Sequence, residues 1–207
     1  RAVFVDDAGN IWAPEESAIL MIRYLFEKGF KKRVVANVSC SMIVEEEVKR
    51  LGGEVFFSKV GDVFVSKVAS EKDATLGVES SAHFFFPCFG FKYDDAIFAS
   101  ILMAKIVSEY GTKLSEVYKT IPKYVYKKFN VECPDKKKFK VVEKMKEYFE
   151  ERGEEVLTLD GVKVSYTDGW VLARPSNTEP IIRITCEAED RARAEELMES
   201  CRELVDR

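Results

Sequence analysis

Seven consecutive residues near the end of the chain, Arg174, Pro175, Ser176, Asn177, Thr178, Glu179 and Pro180, combine the side chains that hold an anion. The Arg174 guanidinium is a planar fork of donors that matches phosphate oxygens in pairs and never loses its charge. Ser176, Asn177 and Thr178 add neutral donors, and the N–H groups of a tight turn can form an anion-binding nest. Two prolines stiffen the segment, so less entropy is lost on binding. Val171-Leu172-Ala173 before it and Ile181-Ile182-Arg183-Ile184 after it read as strands, which makes the segment a loop built to hold a phosphate. Strand alternation can carry Arg183 back toward the same phosphate. The same composition also suits a polar β-turn in which Ser and Asn only satisfy the backbone, with Arg183 an exposed strand cation.

A second group, Glu79-Ser80-Ser81-Ala82-His83, ends the apolar run Thr75-Leu76-Gly77-Val78. In open α/β sheets ligands collect beyond the carboxyl ends of strands, where this carboxylate, hydroxyl and imidazole would sit. Glu79 accepts hydrogen bonds, Ser81 donates or accepts, and His83 can bind a hydroxyl or a phosphate. His83 is the only histidine and precedes Phe84-Phe85-Phe86, so a satisfied core histidine is the competing reading. The remaining charged groups read as structural. Asp94 and Asp95 look like helix caps, Lys59 and Lys67 like solvated cations around Val60-Gly61-Asp62, and Lys136-Lys137-Lys138 like a solvated helix start. Tyr124 and Tyr126 are expected to pack at a domain junction.

The elements that must position these groups alternate through the first part of the chain. Val3 to Trp12 reads as a hairpin around Asp6-Asp7-Ala8-Gly9-Asn10. Helices are predicted from Pro14 to about Lys28, Ile43 to Leu51, Asp62 to Glu71 and from Asp94 to Tyr110. Strands are predicted at Val34 to Val38, Glu54 to Phe57 and Thr75 to Glu79. Strand and helix at this spacing predict a doubly wound α/β domain with a mixed sheet, over 12–124. From 125 to 207 the pattern changes. A strand from Tyr126 to Glu132, a helix from Lys136 to Arg152, three strands at Val162–Tyr166, Trp170–Arg174 and Ile181–Glu187, and an amphipathic helix from Asp190 to Val205 predict a smaller α+β domain with an antiparallel sheet.

The chain has 207 residues, 46% of them hydrophobic, enough for a sizeable core in one or two domains. A net charge of −4 spread over both signs provides no field for nucleic acid or an anionic membrane, so neither is an expected partner. Cys40, Cys88, Cys133, Cys186 and Cys201 are odd in number and lack paired metal-ligand spacing, which suits thiols of a reducing compartment such as the cytoplasm. No apolar run approaches the roughly 20 residues that span a bilayer, and the first residues do not read as a signal peptide.

Taken in order, Val60-Gly61-Asp62, Gly77-Val78-Glu79-Ser80-Ser81-Ala82-His83, Tyr93-Asp94-Asp95, Cys133-Pro134-Asp135, Asp160-Gly161-Val162-Lys163-Val164, Asp168-Gly169-Trp170 and the Arg174–Pro180 loop resemble the α-D-phosphohexomutases. The resemblance to this phosphomannomutase/phosphoglucomutase family covers nearly the whole chain, as its third and fourth domains. It implies that Arg174, Ser176, Asn177 and Thr178 grip the phosphate of the sugar end that is not reacting, with Arg183 added as a candidate by strand alternation. It also implies that Glu79, Ser81 and His83 read the sugar. Ala82 departs from the family's glycine. If that position needs positive φ or close approach of the ligand, the methyl group would narrow sugar choice or weaken binding.

The family's phosphoserine segment (Ser-His-Asn-Pro) and its Asp-Gly-Asp-x-Asp metal loop do not occur here. Residues 1–11 look like a remnant of the second domain just after that loop, with Arg1 as its closing arginine and a candidate catalytic group. The resemblance therefore implies the C-terminal half of an intramolecular phosphotransferase, dependent on its N-terminal domains for Mg²⁺ and phosphoserine. That half would bind a hexose phosphate without turning it over. In the parent enzyme, glucose or mannose 1,6-bisphosphate is the implied intermediate or activator. Mannose and glucose phosphates are the first expected substrates. A phosphoglucosamine mutase half and a non-catalytic sugar-phosphate-binding module are the alternatives. An exposed sheet edge would also allow a homodimer.

Overall fold

The computed structural model describes residues 1–91, 93–176 and 178–206. The chain divides into two units, Arg1–Pro122 and Lys123–Arg207.

The first unit opens with a turn in which Val5 bridges Ile11 in antiparallel fashion. Asp6 organises it: one carboxylate oxygen accepts the Ala8 and Asn10 N–H groups, each at 2.9 Å, and the other accepts Asn10 Nδ2 and the Trp12 indole. Helix α1 (Pro14–Glu27) starts with proline at its first position, and the Glu16 side chain returns to accept the Ala13 N–H at 2.7 Å. It is buried along most of its length. Then follow β1 (Arg33–Asn37), α2 (Met42–Arg50), β2 (Glu54–Ser58), α3 (Asp62–Glu71), β3 (Leu76–Glu79), β4 (His83–Phe85), α4 (Ala96–Tyr110) and a short α5 (Leu114–Tyr118). The sheet order is β2-β1-β3-β4, with β1 parallel to both β2 and β3, and β4 antiparallel to β3. Side chains alternate across such a sheet. Val35 and Phe85 meet Val65 and Ala69 of α3 in one cluster, while α1 and α2 also pack on the sheet strands.

The second unit is β5 (Val125–Glu132), α6 (Asp135–Glu151), β6 (Val156–Leu157), β7 (Val162–Tyr166), β8 (Gly169–Pro175), β9 (Ile181–Ala188) and α7 (Arg191–Asp206). Its strands form an antiparallel sheet in the order β5-β9-β8-β7-β6. One face, with Val164, Val171, Ala173, Ile182 and Ile184, packs against Val142, Met145 and Phe149 of α6 and Ala194, Leu197 and Cys201 of α7. This is the mixed α/β sheet followed by an antiparallel α+β unit that the pattern predicts.

Sequence reading missed β4, β6 and α5, all very short, so periodicity has too few residues to register. Two readings are corrected. Asp95 is the N-cap of α4, accepting the Phe98 N–H at 2.8 Å, whereas Asp94 lies before it and bridges Phe85. Lys138 is not solvated with Lys136 and Lys137. Its side chain is buried, and Nζ donates to Asp135 at 2.6 Å and to the Glu179 carbonyl at 3.0 Å. An α-helix turns successive residues about 100° apart, so one member of a basic run can face inward while its neighbours face water.

Candidate functional site

Two clusters hold the candidate residues, one in each unit. In the first unit, Glu79 ends β3 and the chain reverses at once into β4, with Glu79 opposite His83 in the antiparallel register. The reversal is tight: the Ala82 N–H donates to the Glu79 carbonyl at 3.1 Å, and Ala82 takes φ 68°, the left-handed region. The position therefore needs the conformation that glycine supplies freely, and alanine occupies it with a crowded Cβ.

Glu79 is buried, and both of its carboxylate oxygens have protein partners. Oε1 accepts Asn37 Nδ2 at 3.1 Å and the Gly61 N–H, at the start of α3, at 2.8 Å. Oε2 lies 3.0 Å from His83 Nδ1 and 3.4 Å from the Ser81 hydroxyl, which is itself 3.1 Å from the same ring nitrogen. On the other side of the imidazole, Arg1 Nε is 3.4 Å and Asp94 Oδ2 4.0 Å from Nε2. Arg1 is brought there by a backbone bond, the Ala2 N–H to the Ala82 carbonyl at 3.0 Å. His83 is thus neither a core histidine nor isolated; it is partly exposed within a ring of polar groups. Asn37, Gly61 and Asp94 were not read as site residues. Asn37 gave one weak signal, an amide within the otherwise apolar stretch Val34 to Val38.

In the second unit, β8 and β9 bring Arg174 and Arg183 directly opposite each other, and paired residues project to the same face. Arg174 Nη1 donates to Asp160 at 3.2 Å, and Arg183 donates to the Glu179 carboxylate. Both side chains are largely buried, with exposures of 25% and 30%. Ser176 is buried, and its hydroxyl oxygen accepts the Thr178 and Glu179 N–H groups at 3.4 and 3.2 Å, leaving its own O–H to donate elsewhere. Thr178 is exposed. Asn177 lies outside the described residues.

The loop is held from several directions. Ser176 N–H donates to the Ile181 carbonyl at 3.0 Å, Cys133 N–H to the Pro180 carbonyl at 2.8 Å, and buried Lys138 to the Glu179 carbonyl. Just before β7, Gly161 has φ +93° and lies so close to β8 that a Cβ would fall 2.3 Å from the Ala173 carbonyl oxygen. Only glycine lets Asp160 approach Arg174 along this path.

Lys59 and Lys67 join neither cluster: Lys59 Nζ lies 5.9 Å from the Phe64 ring centre and Lys67 pairs with Glu71 at 3.9 Å. Among the described residues, no group of three or more His, Cys, Asp or Glu side chains could hold a metal ion. Among the described residues, no helix is long and apolar enough to cross a membrane.

The phosphoglucomutase/phosphomannomutase α/β/α domain III model matches residues 13–124, and the C-terminal domain model of the same family matches residues 129–204. The chain belongs to this family. Over 207 residues it is 37% identical to a protein of Methanopyrus kandleri named "Probable phosphoglucosamine mutase", covering 100% of this chain and 46% of that protein. It is 33% identical over 199 residues to a phosphoglucomutase/phosphomannomutase of Thermococcus kodakarensis, covering 96% of this chain and 43% of that one. The crystal structure of a phosphoglucomutase/phosphomannomutase family protein from Burkholderia thailandensis superposes with a TM-score of 0.86 at 25% identity, over 98% of this chain and 43% of that one. The chain spans about half the length of the curated phosphohexomutase relatives it matches.

Proposed function

We propose that this chain is the substrate-recognition half of a phosphohexomutase, and that its sugar is a glucosamine phosphate. The observation that carries the recognition role is the Arg174–Arg183 pair, set opposite each other where the rigid loop leaves β8 and enters β9. A guanidinium has five N–H donors, and Asp160 orients Arg174 through one of its nitrogens. A phosphate then gains charge-assisted bonds from both arginines, the Ser176 hydroxyl and the Thr178 side chain. Asp160 and Glu179 keep the cluster near neutral before binding, so affinity comes from placed donors more than from net field.

Glu79, Ser81 and His83 supply acceptors and a hydroxyl suited to the sugar ring. The amino sugar is favoured by the name of the 37% identical relative; glucose and mannose phosphates are the second reading, supported by the 33% identical one. In this proposal phosphoryl transfer through a bisphosphate uses a phosphoserine and Mg²⁺ held outside these residues, so the chain by itself binds without turnover.

Calorimetric titration of the chain with glucosamine 1-phosphate, glucose 1-phosphate and mannose 1-phosphate tests this. One sugar phosphate should bind best, and Arg174→Ala should weaken it by about 10- to 100-fold, the loss of one charge-assisted contact of about 1.5–3 kcal/mol. No binding at millimolar ligand, or binding indifferent to Arg174, would reject the reading.

A further inference from the structure

Asn37 has no part in the family resemblance, yet it touches the centre of the first cluster. It ends β1, the strand between β2 and β3, and is 0% exposed. Its orientation is fixed: Oδ1 accepts the Ser39 N–H at 3.0 Å, which only the oxygen can do, so Nδ2 is the atom 3.1 Å from Glu79 Oε1. The Gly61 N–H places a second donor on that same oxygen at 2.8 Å. With both donors on Oε1, Oε2 is turned toward His83 Nδ1, 3.0 Å away.

A carboxylate can only accept, so Nδ1 must carry the ring hydrogen. The opposite side agrees. Arg1 can only donate, and its Nε lies 3.4 Å from Nε2, which must therefore present a lone pair. The groups facing the imidazole are Glu79 from β3, Ser81 from the turn, Asp94 before α4, and Arg1.

We propose that Asn37 is a positioning residue that, with the Gly61 N–H, locks Glu79 so that His83 is held as its Nδ1-protonated tautomer with Nε2 offered as an acceptor. Beside Nε2 stands a second acceptor, Asp94 Oδ2, at 4.0 Å. A ligand group that brings hydrogen, a hydroxyl or an ammonium, then finds acceptors at Asp94 Oδ2 and, where it displaces Arg1, at Nε2. The sugar side of this inference rests on the sugar-phosphate reading, whereas the tautomer does not.

His83 is the only histidine, so ¹⁵N-edited NMR of the imidazole reads the tautomer of the whole chain without assignment. In the neutral form of the ring, the wild type should show the hydrogen on Nδ1. Asn37→Asp keeps the acceptor for Ser39 and replaces the Nδ2 donor by a carboxylate oxygen that repels Glu79 Oε1; it should shift the ring toward the Nε2-protonated form that free imidazole prefers. Glu79→Gln covers the case in which that variant does not fold. Its amide oxygen still suits the Asn37 and Gly61 donors, so its NH₂ would face Nδ1 and should invert the tautomer outright.

An Nε2-protonated wild type would overturn the proposal. So would an unchanged tautomer in folded Asn37→Asp, or in Glu79→Gln. Titration of the same samples with glucosamine 1-phosphate separates the two claims: a correct tautomer without binding rejects the functional reading and leaves the positioning role standing. Binding with the wrong tautomer does the reverse.

Discussion

Ala82 shows how one methyl group is constrained by the turn it occupies. With φ at 68°, its Cβ crowds the neighbouring carbonyl, a conformation that costs an L residue about 1–2 kcal/mol. The turn cannot relax, because the Ala82 carbonyl accepts from Ala2 and its N–H donates to Glu79. Ala82→Gly relieves the crowding, and the greater freedom of glycine in the unfolded chain offsets part of that gain. The expected result is a rise in stability of up to about 1 kcal/mol, seen as a higher urea midpoint with an unchanged slope. A lower midpoint would mean that packing of the buried methyl outweighs the strain. The sequence marked this position through its departure from the family's glycine, but the sign of φ is a property of the β3–β4 reversal and was not legible in it.

At the scale of elements, the phosphate loop is governed by its supports. Pro175 and Pro180 restrict it from within, but the hydrogen bonds that hold it come from α6, the end of β5 and β9. Lys138→Met keeps the buried stem and removes the charged head, leaving the Glu179 carbonyl without that donor. A loss of about 1–3 kcal/mol is expected in thermal or urea unfolding of the second unit, together with weaker sugar-phosphate binding. Stability within about 0.5 kcal/mol of wild type would show that water replaces the ammonium and that Lys138 does not hold the loop. No sequence signal pointed to this residue, since a run of three lysines reads as solvated until the helix phase is known.

At the scale of the molecule, five carboxylates of the first unit are held below their ordinary values, Asp7 and Asp73 among them, and three carry the largest shifts. Burial pushes the Asp6 carboxyl up, but hydrogen bonds from Asn10, Trp12 and Ala8 outweigh it and bring it from 3.8 to about 2. Burial likewise opposes Glu47, which Arg50 and Arg23 bring from 4.5 to about 2. Hydrogen bonds from Lys105, Lys28 and Tyr24 lower Glu109 from 4.5 to about 2. All three folded-state values lie below the ordinary ones. Their contribution is therefore complete above about pH 4.5, and it is lost as pH falls through that range toward about 2. Urea midpoints of the first unit should be flat from neutral pH to about 5 and fall steeply below 4. Replacing Glu47 by Gln should lower the neutral-pH midpoint and flatten the fall, and an unaltered acid profile would remove Glu47 from this account.

The sequence by itself determined the types and order of the longer elements and the two-part architecture, because helix and strand periods are local properties of ten or so residues. It also determined which chemistry could be present: a guanidinium with hydroxyls in a stiff loop, and a carboxylate, hydroxyl and imidazole after a buried strand. Only the tertiary structure decided which groups meet. The Arg174–Arg183 pairing depends on the β8–β9 register. The hold of Asn37 and Gly61 on Glu79 depends on β1 lying beside β3 and on where α3 begins. The Glu79 contacts join residues 18 and 42 positions apart, and their distances follow from the packing of whole elements, which no local pattern encodes.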